Sequence, residues 1–228
     1  PALLPVVRLE NTADTADCLA NSTKTKITQV GSIQSEPLVV YLSLRSPYSY
    51  LGFVQAIDLA KRHHLELIIK PVLPLLMRGA SIPVVKQKYI YLDSVREAKK
   101  LNIEFTGFVD PLGDGVINAY RFFAWAELQG KATEYMLACF RAIYVDGIEL
   151  ADAKSVDKIM KKLTLNVDDA RAFQQDHDWQ QWADVNQVAL NKLNLWGVPC
   201  FTYGKSSYWG QDRIPLLEKE IKSTLSNG

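Results

Sequence analysis

Apolar and β-branched residues run almost unbroken from Leu38 to Leu44, the pattern of a buried strand, and the period then changes. Ser46-Pro47 opens a helix, with serine as the cap and proline at the first helical position, where its missing N–H is no loss. Leu51, Val54, Ile57 and Ala60 recur at helical spacing towards His64, and Leu65 to Val72 reads as a second strand closed by Pro71 and Pro74. A helical crossover of this length between two buried strands implies a parallel pair, with the Ser46 turn at the carboxyl edge of the first. Open α/β sheets place ligands at that edge.

Leu75 to Pro83 reads as a loop, and a helix opens at Lys86-Gln87-Lys88 and runs to about Leu101. Gly107 to Gly115, with Asp110-Pro111 inside it, is a connection. Helical patterns resume over Val116–Gln129, Ala132–Val145, Ala153–Leu163, Val167–Asp176 and Trp179–Leu193. They predict a block of about five helices over residues 84–195, with no strand inside it and with Phe122, Phe123, Trp125, Trp179 and Trp182 on packing faces. Trp196–Tyr203, a turn at Gly204-Lys205-Ser206, and Ser207-Tyr208-Trp209 then read as a hairpin. A last helix runs to Leu225, with Asp212 as its N-cap. Residues 1–36 stand apart: Asn11 to Ser35 is rich in Thr, Ser, Asn, Asp and Gln, and the stretch reads as a tail or linker. The expected organisation is therefore a two-part domain, 37–83 and 196–228, around a helical insertion, 84–195.

Composition narrows the possible functions. With 228 residues, 48% of them hydrophobic and 22% charged, the chain can bury a sizeable core, and a net charge of +1 gives no footprint for nucleic acid or an acidic membrane. No run of about eighteen apolar residues suggests a membrane span. Cys18, Cys139 and Cys200 are far apart and odd in number, so neither a disulfide framework nor a metal site is indicated, and a reducing cytoplasm fits best. Cys200 reads as a small buried strand residue, and His63, His64 and His177 as surface residues.

The chemistry worth testing lies at the first strand-to-helix turn. Free N–H groups and the positive end of the helix dipole favour an anion there, and Ser46 and Ser49 can add hydroxyl hydrogen bonds. The same residues also suit an ordinary helix cap. What raises the turn above a cap is the order of elements, β-α-β, helices, β-β-α, which is an α/β thioredoxin-like fold with an all-helical insertion between its halves. Within that order, Ser46-Pro47-Tyr48-Ser49-Tyr50-Leu51-Gly52, Gly197-Val198-Pro199 and Trp209-Gly210-Gln211-Asp212-Arg213 resemble the DsbA-like group that includes 2-hydroxychromene-2-carboxylate isomerase and kappa-class glutathione transferase. The resemblance covers about Pro37 to Leu225.

The resemblance implies a cis peptide at Val198-Pro199, facing the first helix, with Val198 offering its backbone N–H and C=O to an extended cysteinyl peptide. It implies that Ser46 donates a hydrogen bond to the sulfur of glutathione, with Pro47, Tyr48 and Ser49 beside it, and that Gln211 and Asp212 hold the γ-glutamyl end. The activity implied is a glutathione-dependent isomerase or transferase acting on a small conjugated or electrophilic substrate, without nucleic acid, membrane or metal, and with a homodimer as an allowed assembly. Relatives of this fold that exchange disulfides carry Cys-x-x-Cys where this chain has Ser46-Pro47-Tyr48-Ser49, so that chemistry is excluded for the motif. The loop Leu76–Pro83 also lacks the Asn-x-Pro-Pro segment of the glutathione-binding members, so a contact to the tripeptide is missing or replaced. Lys86 and Lys88 follow it, in reach of a carboxylate or simply solvated. The alternative is a catalytically inactive thioredoxin-fold module that grips an extended peptide at Val198-Pro199.

Overall fold

A computed structural model describes residues 36–226; the predicted tail up to residue 35, with Cys18, lies outside the described residues. β1 (Leu38–Leu42), α1 (Pro47–His63) and β2 (Leu67–Pro71) form the first half, and β3 (Cys200–Tyr203), β4 (Ser206–Trp209) and α9 (Ile214–Ser226) the second. The four strands make one sheet in the order β2-β1-β3-β4. β1 and β2 are parallel, with Val40 opposite Ile69, while Val40–Phe201 and Phe201–Tyr208 mark the antiparallel pairs β1–β3 and β3–β4. Both the expected parallel pair and the expected hairpin are present. β3 starts four residues later than the apolar pattern does, because Pro199 has no N–H to give a ladder.

Between the halves lie α2 (Val84–Leu101), α3 (Asp114–Arg121), α4 (Phe123–Leu128), α5 (Ala132–Tyr144), α6 (Ala153–Lys162), α7 (Val167–Asp176) and α8 (Trp179–Lys192). That is seven helices where six stretches, read together as a block of about five, were expected. The run read as one helix over Val116–Gln129 is two, parted at Phe122, whose φ of −96° and ψ of −5° take the backbone out of helical register. No helix among the described residues is long and apolar enough to cross a membrane.

Strand alternation assigns the two sheet faces. Leu38, Val40, Leu42, Ile69, Phe201 and Tyr203 enter a large core shared with α1, α9 and most of the inserted helices. Tyr41 and Cys200 face the other way, onto Leu190 of α8. The insertion is tied to the sheet by hydrogen bonds as well as by packing. The Tyr120 phenol donates to the Val72 carbonyl at 2.9 Å, and the Tyr144 phenol to the Leu44 carbonyl at 3.0 Å. Both acceptors lie just past the carboxyl ends of β2 and β1. Residues 103–110 form a strap across the end of α5, where the amides of Thr106 and Gly107 donate to Tyr144 O and that of Val109 to Ile143 O. Carbonyls left free by the helix end are satisfied in this way.

His63 departs from the surface reading. The last turn of α1 packs towards α9, and the His63 Nε2 lies 3.1 Å from Glu218, which also pairs with Arg62 and with Lys222 at 3.0 Å. Arg62, then Lys222, lowers the Glu218 carboxyl from its ordinary 4.5 to about 2. A carboxylate whose pKa falls on folding stabilises the native state above its unfolded pKa, and that contribution is lost as pH drops through the folded value. Glu218→Gln is therefore expected to flatten the dependence of melting temperature on pH between about pH 4.5 and 2, as thermal scans of both proteins would show.

Candidate functional site

Ser46 sits where β1 has ended and α1 begins. Its backbone is extended, with φ −94° and ψ 111°, and its Oγ accepts the Ser49 amide at 3.1 Å as the helix cap. The turn is closed by two further bonds, from Ser46 N to Ser43 O at 2.9 Å and from Ser43 N to Ser49 Oγ at 3.2 Å. Ser49 is therefore wholly buried and holds the turn from inside; it does not reach the cavity beside Ser46 as the resemblance implies. The Ser46 hydroxyl proton points to the Val198 carbonyl oxygen at 3.4 Å, a long hydrogen bond. Pro47 has no amide hydrogen and that of Ser49 is taken by the cap. The Tyr48 N–H is the first-turn donor without a partner among the described residues.

The facing loop carries the cis peptide Val198-Pro199 that the resemblance implies. Its Val198 N–H has no backbone partner among the described residues, while Pro199 O accepts the Gly210 amide at 2.9 Å. Close approach of α1 to this loop depends on Gly52. A Cβ there would lie 2.9 Å from the Phe201 ring and 3.0 Å from Pro199 Cγ. Gly52→Ala gains about 1 kcal/mol of helix propensity but overfills the contact, so a net loss of about 1–2 kcal/mol is expected in urea denaturation. The Cys200 thiol is buried, donates to Gly197 O at 2.9 Å, and has its pKa pushed up to about 12 by burial. It is an inert strand residue, as read from the sequence.

A cavity of about 420 Å³ opens from the Ser46 turn. It is lined by Pro47 and Tyr48 of α1, by Trp196 to Val198 and Trp209 from the second half of the chain's sheet domain, and by Ile82, Tyr89, Ile90 and Tyr91 from the approach and first turns of α2. Phe108, from the strap, also lines it. Trp196 and Trp209 are half-exposed, with ring centroids 5.0 Å apart. Tyr48 donates its phenol proton to Asp93 Oδ2 at 2.7 Å; burial, and then Asp93, raise its pKa, so it joins α1 to α2 and stays protonated. Arg45 is held in a two-pronged pair with Asp110 of the strap, at 2.8 and 2.7 Å, which neutralises its charge beside the turn. Lys86 lines the cavity from the first turn of α2.

The structure brings Ser46, Pro47, Tyr48 and Val198 together on this cavity, and leaves Ser49, Pro199, Gln211 and Asp212 outside its lining. Gln211 is 6% exposed and both ends of its amide are committed: Oε1 accepts from Gln55 at 3.0 Å, and Nε2 donates to Glu97 at 3.1 Å. Asp212 does not cap α9. It lies inside a 3₁₀ turn, Gln211–Arg213, exposed and 3.5 Å from Arg213, and α9 begins only at Ile214. Arg45, Tyr89, Tyr91 and Phe108 were not singled out as site residues from the sequence. The one available signal was the Tyr89-Ile90-Tyr91 run next to Lys86 and Lys88 at a helix start.

No curated protein matches the chain. Among solved structures, 2-hydroxychromene-2-carboxylate isomerase superposes with a TM-score of 0.72 at 21% identity, over 83% of this chain and 96% of that one. A putative protein disulfide isomerase from Nitrosomonas europaea follows at 0.64 and 15%, over 84% and 99%. The cytosolic disulfide reductase DsbM from Pseudomonas aeruginosa with GSH matches at 0.60 and 14%, over 84% and 98%. At such identities the likeness is one of fold. The sequence pattern of the DSBA-like thioredoxin domain matches residues 37–222, from the start of β1 to the last turns of α9, and the chain belongs to that family.

Proposed function

We propose that this protein is a glutathione-dependent isomerase or transferase in which Ser46 stabilises the glutathione thiolate. The observation that carries this reading is the meeting of the Ser46 hydroxyl and the Val198 backbone on the lining of an apolar cavity. A 3.4 Å bond to a carbonyl is a weak use of a hydroxyl proton, and a thiolate at the helix end is a better acceptor. Bound glutathione would supply that thiolate as the nucleophile. Ser46 and the free Tyr48 N–H would hold the sulfur, and the α1 dipole would lower its pKa. Val198 N–H and C=O would pair with the cysteinyl backbone. The γ-glutamyl end is left to Asp212, since the Gln211 amide is committed within the protein. The aromatic walls suit a planar, apolar second substrate.

That a solved structure of the same fold contains GSH supports the choice of thiol. The test is calorimetric titration of reduced glutathione, with ultraviolet thiolate absorbance followed against pH. Saturable binding with a thiol pKa at least about one unit below its free value is expected. No binding at millimolar glutathione would overturn the proposal. The commitment of Gln211 favours a second reading, a peptide-binding module that uses the Val198 edge without chemistry. That reading predicts no glutathione binding and capture of extended peptides instead.

A further inference from the structure

Among the described residues the cavity lining carries two cations, Arg45 and Lys86, and no carboxylate. Arg45 precedes Ser46 directly, and its side chain is only 16% exposed, so solvent and salt screen its charge poorly. Its counter-charge comes from outside the lining: Asp110 accepts Nε on Oδ1 at 2.8 Å and Nη2 on Oδ2 at 2.7 Å. Both partners are anchored to the same two residues of α5. The Tyr144 phenol holds the Leu44 carbonyl, next to Arg45, and the Ile143 carbonyl holds the Val109 amide, next to Asp110. The Leu112 amide then donates to Asp110 Oδ1 at 3.1 Å and fixes the carboxylate within its own turn. The strap already hangs from α5 by its backbone, and an ion pair with an exposed partner adds little to stability, so a tie is a poor account of a pair oriented at both ends. Asp93, the carboxylate bonded to the Tyr48 phenol, is shared with Arg96 and does not reach Arg45.

We propose that Asp110 is a positioning residue for the Ser46 turn: it holds the Arg45 guanidinium in a neutral pair, so that an anion at the turn meets the helix end and the Ser46 hydroxyl without a free cation beside them. This rests on the reading of the turn as a thiolate site, and it names what limits the strength of that site. A thiolate loses nucleophilicity as its pKa falls. An uncompensated guanidinium next to Ser46 would keep the sulfur charged at the expense of its attack, and Asp110 prevents this from a strap that makes no other contact with the turn's residues.

The experiment puts a reporter at the turn. Ser46→Cys places a thiol at the start of α1, and its pKa is read from ultraviolet thiolate absorbance, with the unsubstituted chain titrated in parallel to subtract every other cysteine. Cys139 and Cys200, both pushed up to about 12 by burial, stay silent below that range. In this background Asp110→Asn is expected to lower the pKa of the introduced thiol by about half a unit to one unit, because it frees the guanidinium. Arg45→Met leaves the carboxylate alone and should raise it by a similar amount, while the double variant should return to within about 0.3 unit of the parent. Asp110→Glu, which keeps the pair, should stay near the parent too. Opposite shifts that cancel are the mark of charge. A strap that has merely come loose moves both single variants the same way or not at all, and either result overturns the inference. Should Asp110→Asn fail to fold, Arg45→Met decides alone, and an unshifted thiol there overturns it. The reporter needs no glutathione, so a failure of glutathione to bind would overturn the functional reading above and leave this measurement readable.

Discussion

Replacing Ser46 by alanine is expected to move the pKa of protein-bound glutathione back toward its value in free solution and to slow turnover of an activated electrophile by about a hundredfold. The loss of a donor aimed at developing or resident negative charge in a water-poor site has effects of about that size. Ser46 has a second job as the α1 cap, worth about 1 kcal/mol, and a fall in melting temperature alone would say nothing about chemistry. Ser46→Asp separates the two. Aspartate caps a helix as well as serine and suits the dipole, so stability should hold or rise. The same carboxylate repels a thiolate, so the bound thiol pKa should move above its free value, or binding should fail. Thermal scans and thiolate titration of the three proteins check both statements, and a bound thiol pKa unchanged in Ser46→Ala would remove Ser46 from the mechanism.

Phe140→Ala is expected to cost about 3–5 kcal/mol, the usual range for emptying a fully buried aromatic site. Phe140 is 0% exposed in the middle of α5, with ring centroids 5.8 Å from both Tyr50 and Phe53 of α1 and 6.2 Å from Tyr144. Stiff aromatic neighbours on two helices collapse poorly into the space left behind, which puts the site at the costly end of such substitutions. Urea denaturation should show a lower midpoint with an unchanged slope. Phe140→Leu, which refills most of the volume, should recover a large part of the loss.

The halves of the sheet were legible because strand and crossover patterns are local: a buried run, a Ser-Pro start and a second buried run leave little choice but a parallel pair. The Ser46 turn and its facing loop were legible for a different reason, since Ser46-Pro47 and Val198-Pro199 are marked by proline, whose backbone restrictions survive in sequence. The commitment of Gln211 was not legible, because its partners Gln55 and Glu97 come from α1 and α2, far off in the chain. Asp212 looked like a cap on composition alone. The 3₁₀ turn that displaces it depends on the preceding backbone, where Gly210 takes a φ of +115°. Tyr89, Tyr91 and Phe108 read as an exposed helix start and a connection. They become cavity walls only through the strap contacts with α5 and the packing of α2 on α1.

Because the strap hangs from the last carbonyls of α5 and from Arg45, the Phe108 wall of the cavity belongs to the insertion while the Ser46 turn belongs to the sheet. Under the function proposed above, recognition and reactivity would then be encoded by largely separate stretches of the gene. Substitutions within residues 103–109 would reshape what enters while Asp110 keeps Arg45, and with it the Ser46 turn, in place.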